Sequence, residues 1–314
     1  MGKDNSIHTI DAVSHKLEFS EDQIALMNQQ FKKRSQLSSI WFRFRRNKLA
    51  LVGLVIFILL ILISVSAPLW IDYETDCVRQ HIADKFHRPD ASHLFGTDQY
   101  GRDIFARIIW GSRVSLYVGL FVVLISLILG LLIGGISGFY GGKINNFLMR
   151  LMDVVLAIPG TLLNISIVSA LGNSIPNLLI ALSVTQVPRL ARIVRASILQ
   201  LKGQEFIEAC YACGTPDVRI IMRHIMPNAL GPIIVQCALT TASIIKQIAG
   251  LSFIGLGIQP PSPEWGAMLS DGKLVMLSQP WIVLPPGIAI CITVASLTLI
   301  GDGLRDALDP KMKK

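Results

Sequence analysis

The stretch Leu49–Trp70, LALVGLVIFILLILISVSAPLW, contains no charged side chain. An apolar run of about 18 residues or more is long enough to cross the hydrocarbon core of a bilayer as a helix. A polar segment precedes the run, and the run is too long for the apolar region of a cleavable signal peptide, so we expect a signal anchor. The stretch therefore predicts an integral membrane protein.

The composition of the whole chain agrees with a membrane protein. Of the 314 residues, 52% are hydrophobic and 16% are charged, whereas soluble domains carry about 25% charged residues. Long uncharged windows recur to the end of the chain, and a turn-like segment at 171–177 divides the longest of them. We predict an all-α integral membrane protein with six transmembrane helices. The predicted spans are about 49–70, 114–138, 148–171, 176–195, 228–256 and 281–301.

Lys and Arg residues set the predicted orientation in the membrane. Residues 1–48 contain nine of them, and Lys and Arg collect on the cytoplasmic side of membrane proteins. Both termini and the loop 196–227 are then cytoplasmic, as an even number of spans requires. The external loop 71–113 is the exception, with six Lys or Arg beside seven Asp or Glu. The net charge of +8 therefore reflects orientation, and nucleic acid is not an expected partner.

These observations divide the chain into four predicted parts. A cytoplasmic segment at 1–48 precedes the first transmembrane helix at 49–70, and an extracytoplasmic loop with an amphipathic helix follows at 71–113. The remaining 114–314 form a core of five transmembrane helices with the cytoplasmic loop 196–227. Within residues 1–40, a surface helix and a floppy tail remain alternatives. The apolar positions behind the helix alternative are Ile24, Leu26, Met27 and Phe31.

The polar segment Glu205–Pro227 separates two apolar spans and has the pattern of two short helices. Gly214 predicts the break that ends the first helix. Thr215 as N-cap and Pro216 at the first position predict the start of the second, which Pro227 ends. Small residues around Ala209 favour close docking into a groove, although an ordinary pair of interfacial helices would have the same pattern.

Other motifs give no catalytic or metal site. Gly138–Lys143, GFYGGK, lacks the spacing of a phosphate-binding P-loop, because Ser137 precedes it and Ile144 follows the lysine. We therefore expect that the chain does not bind ATP by itself. The pair Cys210 and Cys213 has a metal-like spacing without a second pair, so close packing is the better explanation. His81, His87 and His93 recur every six residues in the external loop, where an exposed polar loop is expected and a metal site is the alternative.

Polar residues inside the predicted spans are candidates for a path through the membrane. Asp153 lies one helical turn after Arg150, and an ion pair between them is favoured over a gating role. An unpaired Lys246 costs about 2.5–3.5 kcal/mol on insertion scales, so its side chain either reaches the interface or faces a cavity where a substrate carboxylate could meet it. The irregular stretch around Gln186 suits a pore lining or a static kink equally well.

Four stretches resemble one transporter family. Glu208-Ala209 followed by Gly214 is similar to the "EAA" loop of bacterial ABC importer permeases, although Cys210 stands at the third position of the triplet. HLFGTDQYGRD at 93–103, LSFIGLGIQPPSPEWG at 251–266 and GDGLRDALDP at 301–310 resemble segments of the second, "C-type" permease subunit of the dipeptide, oligopeptide and nickel import family. The resemblance covers roughly residues 40–312.

The resemblance implies a type I ABC importer permease in the cytoplasmic membrane of a bacterium or archaeon. Such a subunit is not an enzyme and holds no cofactor. It pairs with a homologous permease, two ATPase subunits that use ATP and Mg, and an extracytoplasmic substrate-binding protein, and it works by alternating access. The candidate site residues are Glu208, Ala209, Cys210, Gly214, Arg219 and Pro227 for ATPase coupling, Gln186, Lys246 and Gln247 for a substrate path, and Gln259, Glu264 and Trp265 for an external gate or binding-protein contact.

The expected function is import of di- or oligopeptides through half of a translocation pore. Import of nickel or a metal chelate by the same architecture is the alternative, and Lys246 with Gln247 departs from the small or apolar residues usual in the family. A membrane enzyme and a stand-alone channel are the competing classes. A membrane enzyme needs convergent reactive groups at membrane depth, whereas Asp153 and Lys246 are expected at different depths.

Overall fold

A computed structural model describes residues 36–308 of the chain. The apolar positions at 24–31, which carry the surface-helix alternative for the N-terminal segment, lie outside the described residues. Internal contacts divide the chain into one unit of residues 1–42 and a second of residues 43–314. The first unit is described only from Gln36, where helix α1 (Gln36–Phe44) begins. All further elements belong to the second unit.

The described part of the second unit is all-α, as predicted. Within it, strand-like pairing is limited to one isolated bridge between Thr97 and Asp103. Short 3₁₀ or π turns occupy Ala67–Leu69, Tyr73–Val78, Ile82–Asp84, Ile220–Ile225 and Pro280–Ile282. The α-helices are α2 (Lys48–Ser66), α3 (Ile104–Tyr140), α4 (Gly142–Ala157), α5 (Gly160–Leu171), α6 (Ile175–Lys202), α7 (Glu205–Ala212), α8 (Asp217–Arg219), α9 (Met226–Phe253), α10 (Trp265–Gly272) and α11 (Leu284–Leu308).

Several helical segments can cross a membrane by length and apolarity. Four of the described segments qualify alone, and the bent pair α4 and α5 makes a fifth if it counts as one span. Helix α6 is long enough but carries Arg189, Arg192 and Arg195, so the fourth predicted span, 176–195, stays a prediction. The four segments are Lys48–Leu69, Ile104–Tyr140, Asp217–Phe253 and Pro280–Leu308.

Helix α3 is longer than the sequence indicates. The predicted boundary between external loop and second span, at 113–114, falls inside this continuous helix. The side chain of Asp103 caps its start by accepting a hydrogen bond from the Ala106 amide at 2.8 Å. Arg107 and Arg113, which made this region look like a polar loop, contact protein groups: Arg107 binds Asp98, and Arg113 stacks on Trp110. The same helix can therefore pass from a polar to an apolar environment.

Close packing of α3 on α6 forms the centre of the bundle. Gly130, Gly134 and Gly138 repeat every fourth residue on the face of α3 that meets α6. A Cβ at Gly130 would lie 2.8 Å from the Leu190 Cβ, and one at Gly134 would lie 2.8 Å from the Val194 Cβ. Small residues at this spacing allow helix backbones to approach within a membrane. Helix α11 packs between α9 and α2 and completes the bundle.

The third predicted span, 148–171, is divided into α4 and α5, which meet at an angle of 86°. Pro159 lies at the break. Proline has no amide hydrogen and restricts the preceding residue to extended conformations, and Ile158 has φ −92° and ψ 129°. The helix therefore stops and restarts at Gly160, beside α6.

Candidate functional site

The segment Glu205–Pro227, called the coupling loop from here on, has the predicted break at Gly214. Gly214 has φ +71°, a conformation that favours glycine. Its amide donates to the Tyr211 carbonyl at 2.9 Å, and the Thr215 amide donates to the Cys210 carbonyl at 3.0 Å. These two bonds form a Schellman motif at the end of α7. The turn therefore has a fixed geometry.

The coupling loop buries one apolar face on the ends of the long helices. Ile207, Ile220 and Ile225 are fully buried against a cluster that includes Phe139 of α3 and Ile198 of α6. Among the predicted coupling residues, Glu208, Ala209, Gly214, Arg219 and Pro227 are exposed, and Cys210 is half-buried. The loop therefore presents its polar and small residues outward while its apolar residues hold it to the bundle.

The second half of the coupling loop differs from the prediction. The expected helix from Pro216 to Ile225 is a single turn, α8, followed by the π turn Ile220–Ile225. Pro227 was expected to end that helix, and this is wrong, because Asp217–Phe253 is one continuous helical segment. Pro227 lies in the first turn of α9, and the wider π turn before it absorbs the missing amide hydrogen bond. Thr215 is not the N-cap either, since Pro216 holds that position.

Lys202 links the coupling end to α3, a contact that no local pattern in the sequence predicts. Its Nζ donates a hydrogen bond of 2.6 Å to the carbonyl of Phe139, next to the end of α3. The same ammonium lies 5.4 Å from the centroid of the Phe139 ring. Tyr211 of α7 stacks on that ring with 6.5 Å between centroids. Phe139 therefore joins α3, α6 and α7 at one point.

The predicted path residues Gln186 and Gln247 meet at the bend between α4 and α5. Gln247 Oε1 accepts a hydrogen bond from Asn164 Nδ2 at 3.2 Å and lies 3.5 Å from Gln186 Nε2. Gln247 Nε2 donates to Ser243 Oγ at 3.2 Å. Asn164 and Gln186 are almost completely buried. We call Asn164, Gln186 and Gln247 the amide bridge; Asn164 was missed by the sequence reasoning, although a buried amide in an uncharged span is a recognisable signal.

Two cavities lie against the amide bridge. One of about 340 Å³ is lined by Lys246 and Asn164, between α5 and α9. The other, of about 180 Å³, lies at the α4–α5 bend and is lined by Arg189 and Gln186. Gln247 lines both. Lys246 is exposed and lines the first cavity.

Asp153 has a different partner from the one the sequence indicates. The expected pair with Arg150 is wrong, because the carboxylate of Asp153 accepts a hydrogen bond from Arg192 of α6. Helix α4 runs beside α6, so a partner on the neighbouring helix is nearer than one a turn away. A second polar contact, from Arg195 to Asn145 at 2.5 Å, joins the same two helices.

The predicted external residues divide into one exposed and two buried side chains. Gln259 is exposed. Glu264 is 1% exposed and caps α10 by accepting hydrogen bonds of 2.9 Å from the Gly266 and Ala267 amides. Trp265 is equally buried, and its ring nitrogen donates to the Ile108 carbonyl at 3.0 Å. Glu264 and Trp265 therefore fix the position of the loop on α3.

Four charged side chains form a buried group beside α10, called the ion-pair cluster from here on. Asp98 accepts hydrogen bonds from Arg102 at 2.7 Å and from Arg107 at 2.5 Å. Asp271 lies 3.2 Å from Arg102 and 3.7 Å from Arg107. Burial raises the pKa of Asp271, while the two arginines oppose the shift. The sequence predicts an external loop with an amphipathic helix here but no ion-pair cluster, because partners 169 positions apart carry no local signal.

Cysteine and histidine side chains of the region give no metal centre in the described structure. Burial raises the pKa of the Cys77 thiol to about 12, so it is protonated at neutral pH and packs as an apolar group. His93 contacts Asp103 at 2.8 Å, and its ring lies 5.8 Å from that of His87. Within residues 36–308, no three His, Cys, Asp or Glu side chains are grouped so that they could hold a metal ion.

Comparison with protein families gives two matches along the chain. Residues 126–314 match the family described as "binding-protein-dependent transport system inner membrane component". Residues 35–89 match the "N-terminal TM domain of oligopeptide transport permease C". The first match contains the coupling loop and the amide bridge. The second contains α2 and part of the external region.

Individual relatives and one solved structure agree with these matches. The chain is 47% identical over 269 residues to a dipeptide transport system permease protein of Alkalihalophilus pseudofirmus, covering 86% of this chain and 88% of the relative. It is 41% identical over 280 residues to an oligopeptide transport system permease protein of Bacillus subtilis, covering 88% and 91%. The fold is similar to a chain of the MetNI methionine ABC transporter in an inward-facing conformation, with a TM-score of 0.54 and 17% identity, covering 66% of this chain and 97% of that one.

Proposed function

The chain belongs to the family of binding-protein-dependent transport system inner membrane components, and from this membership we propose that it forms one half of the translocation pore of a peptide importer. It is a membrane subunit of an ABC importer. The relatives are named for dipeptide and oligopeptide transport, which supports peptides as the substrate. The chain spans most of the length of each relative, so the proposal compares whole permease subunits of similar extent.

The proposed assembly contains a homologous permease, two ATPase subunits that bind ATP and Mg, and an extracytoplasmic binding protein. In it, the chain crosses the membrane six times with both termini in the cytoplasm. The division into segment 1–48, span 49–70, external loop 71–113 and core 114–314 belongs to the same proposal. The Lys and Arg distribution supports this orientation. Gln259, on the exposed surface, is the proposed contact for the binding protein. The buried side chains of Glu264 and Trp265 are proposed to hold the external gate in position.

The observation that carries the proposal is the two-sided coupling loop. Its exposed side consists of the residues expected to meet an ATPase, and its buried side packs on Phe139 and Ile198, at the ends of α3 and α6. Movement of a docked ATPase would therefore be transmitted to the two helices that pack most extensively. Closure of the ATPases on ATP then changes the access of the pore, as alternating access requires.

A substitution at Gly214 tests coupling. Gly214→Arg adds a large side chain to the exposed turn, where a Cβ would meet no atom within 4 Å of the chain itself. We expect the assembled transporter in proteoliposomes to lose ATP-dependent uptake of a labelled dipeptide by more than roughly tenfold, because a bulky residue blocks docking. The amount of inserted protein should stay unchanged.

Gly172→Arg is the matched control. Gly172 also follows a helix, has φ +92° and has open space around its Cβ, but it lies at the opposite end of α5 from the bend. Both variants place a side chain at a positive-φ position, and Gly172, with ψ 162°, is the more strained of the two, so a greater loss of uptake in Gly214→Arg reports loss of docking. Normal uptake by Gly214→Arg, or equal loss in both variants, would contradict the proposed coupling role.

A further inference from the structure

The two cavities beside the amide bridge have the same electrostatic character. Each is lined by one cationic side chain, Lys246 in the larger and Arg189 in the smaller, and neither is lined by Asp or Glu. Within residues 36–308, neither cation has a carboxylate partner in an ion pair. A positive charge at membrane depth without a partner is costly and is usually found where function requires it. The pair therefore points to a solute with a negative group.

The two cavities lie one after the other along the length of the helical bundle. Helix α6 runs from Ile175 to Lys202, beside the coupling loop, so Arg189 lies nearer that end than Gln186 does. The larger cavity extends to Gly250 and Ile254, towards the other end of α9. A solute that crosses the bundle towards the coupling loop would therefore enter the larger cavity, which Lys246 lines, before it passes the amide bridge into the smaller cavity, which Arg189 lines.

The larger cavity also has an acceptor that lacks a partner. Asn164 is 1% exposed, and its Oδ1 makes no hydrogen bond in the described structure, whereas its Nδ2 is bonded to Gln247. A buried acceptor without a donor is unfavourable, so a ligand N–H that reaches Oδ1 when the amide bridge opens would satisfy it. Lys246 and Asn164 together thus complement a carboxylate next to an N–H group, as at the C-terminal residue of a peptide.

We propose that Lys246 and Arg189 are successive binding stations for the carboxylate of the transported solute, separated by the amide bridge. The inference rests on the proposed function and adds the feature of the substrate that the path recognises. Two unpaired cations along the path favour a solute with a free carboxylate and oppose a bare divalent cation such as nickel. The amide bridge closes the route until its hydrogen bonds exchange for bonds to the solute.

Thiol labelling tests the charge of the larger cavity without transport. Gly250→Cys places a thiol at its edge, where a Cβ has open space, in a chain whose exposed Cys213 and Cys291 are replaced by Ser. The assembled transporter is treated with an anionic sulfonate and a cationic trimethylammonium methanethiosulfonate reagent, and the same chain without Gly250→Cys gives the background. We expect Lys246→Gln to lower the anionic-to-cationic rate ratio by roughly three- to tenfold.

Lys273→Gln is the matched control for this measurement. Lys273 is exposed and stacks on Phe253, 5.7 Å from the ring centroid, but it lines neither cavity. It should change the ratio much less than Lys246→Gln does, because Lys273 lines neither cavity and its exposed charge is screened by solvent and salt. A ratio that does not respond to Lys246→Gln, or that responds equally to Lys273→Gln, overturns the first station.

Uptake of a matched peptide pair tests both stations. A labelled dipeptide with a free carboxylate is compared with its C-terminal amide, and each variant is expressed relative to the parent chain, so the preference of the binding protein cancels. Lys246→Gln and Arg189→Gln should each lower uptake of the acid relative to the amide by roughly fivefold. Equal losses for acid and amide overturn the carboxylate stations. Absence of any peptide uptake by the parent chain, with uptake of nickel instead, contradicts the proposed function, whereas the labelling ratio still tests the first station.

Discussion

The two ends of the helical bundle are held by different forces. At the coupling end, α7 and the π turn are attached through apolar contacts, with Ile207, Ile220 and Ile225 fully buried. At the end beside α10, the ion-pair cluster joins the start of α3 to the segment before it and to Asp271. Apolar contacts have no preferred direction, whereas buried ion pairs require fixed geometry and matched charges.

The difference suggests a division of roles between the ends. A lever that follows a docked ATPase must stay attached while it moves, and apolar packing allows small shifts without loss of a specific bond. A loop that shapes the opposite entrance must keep one position, which a balanced set of two carboxylates and two guanidinium groups enforces. Changes at the two ends should therefore affect stability and coupling in different proportions.

The largest effect is expected from Arg107→Met, which breaks the charge balance of the ion-pair cluster. Arg107 is 1% exposed, and its loss leaves two carboxylates with one guanidinium group. Removal of one partner from a buried ion pair costs about 3–5 kcal/mol. Thermal unfolding of the purified chain in detergent measures the loss.

Arg113→Met is the control on the same helix. Arg113 is partly exposed and stacks on Trp110 at 4.9 Å, so its loss should cost less than about 1 kcal/mol. The double variant Arg107→Met with Asp271→Asn restores one charge of each sign and should recover part of the stability. Equal effects of Arg107→Met and Arg113→Met would show that charge balance does not hold this end.

A somewhat smaller effect is expected from Ile207→Ala in α7. Ile207 is fully buried in the cluster with Phe139, and an Ile→Ala change in a packed core costs about 2–4 kcal/mol. Because α7 is a local unit, we expect detachment of the lever with little change in unfolding of the bundle. ATP hydrolysis by the assembled transporter should continue while uptake per ATP falls.

Phe206→Ala is the neighbouring control for that variant. Phe206 is 39% exposed, so its truncation removes less buried surface than that of the fully buried Ile207. Phe206→Ala should leave α7 attached to the bundle. It should lower uptake per ATP only if the Phe206 side chain contacts an ATPase subunit. Tight coupling in Ile207→Ala would mean that apolar attachment does not transmit the movement.

Hydropathy predicts most of the fold because apolar length is a local property. The first span, the helix ends near Gly141 and Gly214 and the all-α class can all be read from neighbouring residues. The helix α3 extends beyond its apolar window because Asp103 caps it and Asp98 neutralises Arg107, and neither effect changes the local hydropathy. The bend at Pro159 is visible as a proline, but its angle of 86° depends on packing against α6.

The candidate sites show the same limit. Gln186 and Gln247 were identified as unusual polar residues, whereas their hydrogen-bonded contact with Asn164 depends on three helices coming together. The sequence predicts Arg150, one helical turn away, as the partner of Asp153. In the fold, Asp153 instead contacts Arg192 of a neighbouring helix. Nonlocal pairs of this kind carry no periodic signal in one sequence.

A smaller effect is expected from Asp271→Asn, and its sign depends on pH. Burial raises the pKa of Asp271, so the folded chain binds that proton more tightly than the unfolded chain does. The contribution of Asp271 to stability is therefore greatest below about pH 4, the ordinary aspartate range, and falls as pH rises through the raised pKa. Asparagine resembles the protonated form and keeps an oxygen for Arg102, so the cost should be about 1 kcal/mol.

Unfolding of the parent chain and Asp271→Asn across pH 4–8 gives the measurement. The stability of the parent relative to the variant should fall with rising pH and then level off. Asp98→Asn is the comparison, since Asp98 accepts hydrogen bonds from two arginines and its change should cost more. A parent that gains stability over Asp271→Asn as pH rises would contradict the raised pKa.

The smallest effect is expected from Lys202→Gln at the coupling end. Lys202 Nζ donates to the Phe139 carbonyl at 2.6 Å, and a cation near a helix C-terminus contributes about 0.3–1 kcal/mol. The substitution retains a donor and removes the charge, so unfolding should shift slightly and become less sensitive to salt. If the apolar cluster alone holds the lever, uptake per ATP will stay within about twofold of the parent chain. A loss as large as that of Ile207→Ala would instead make this hydrogen bond the main attachment of the lever, and the contrast between an apolar end and a charged end would no longer hold.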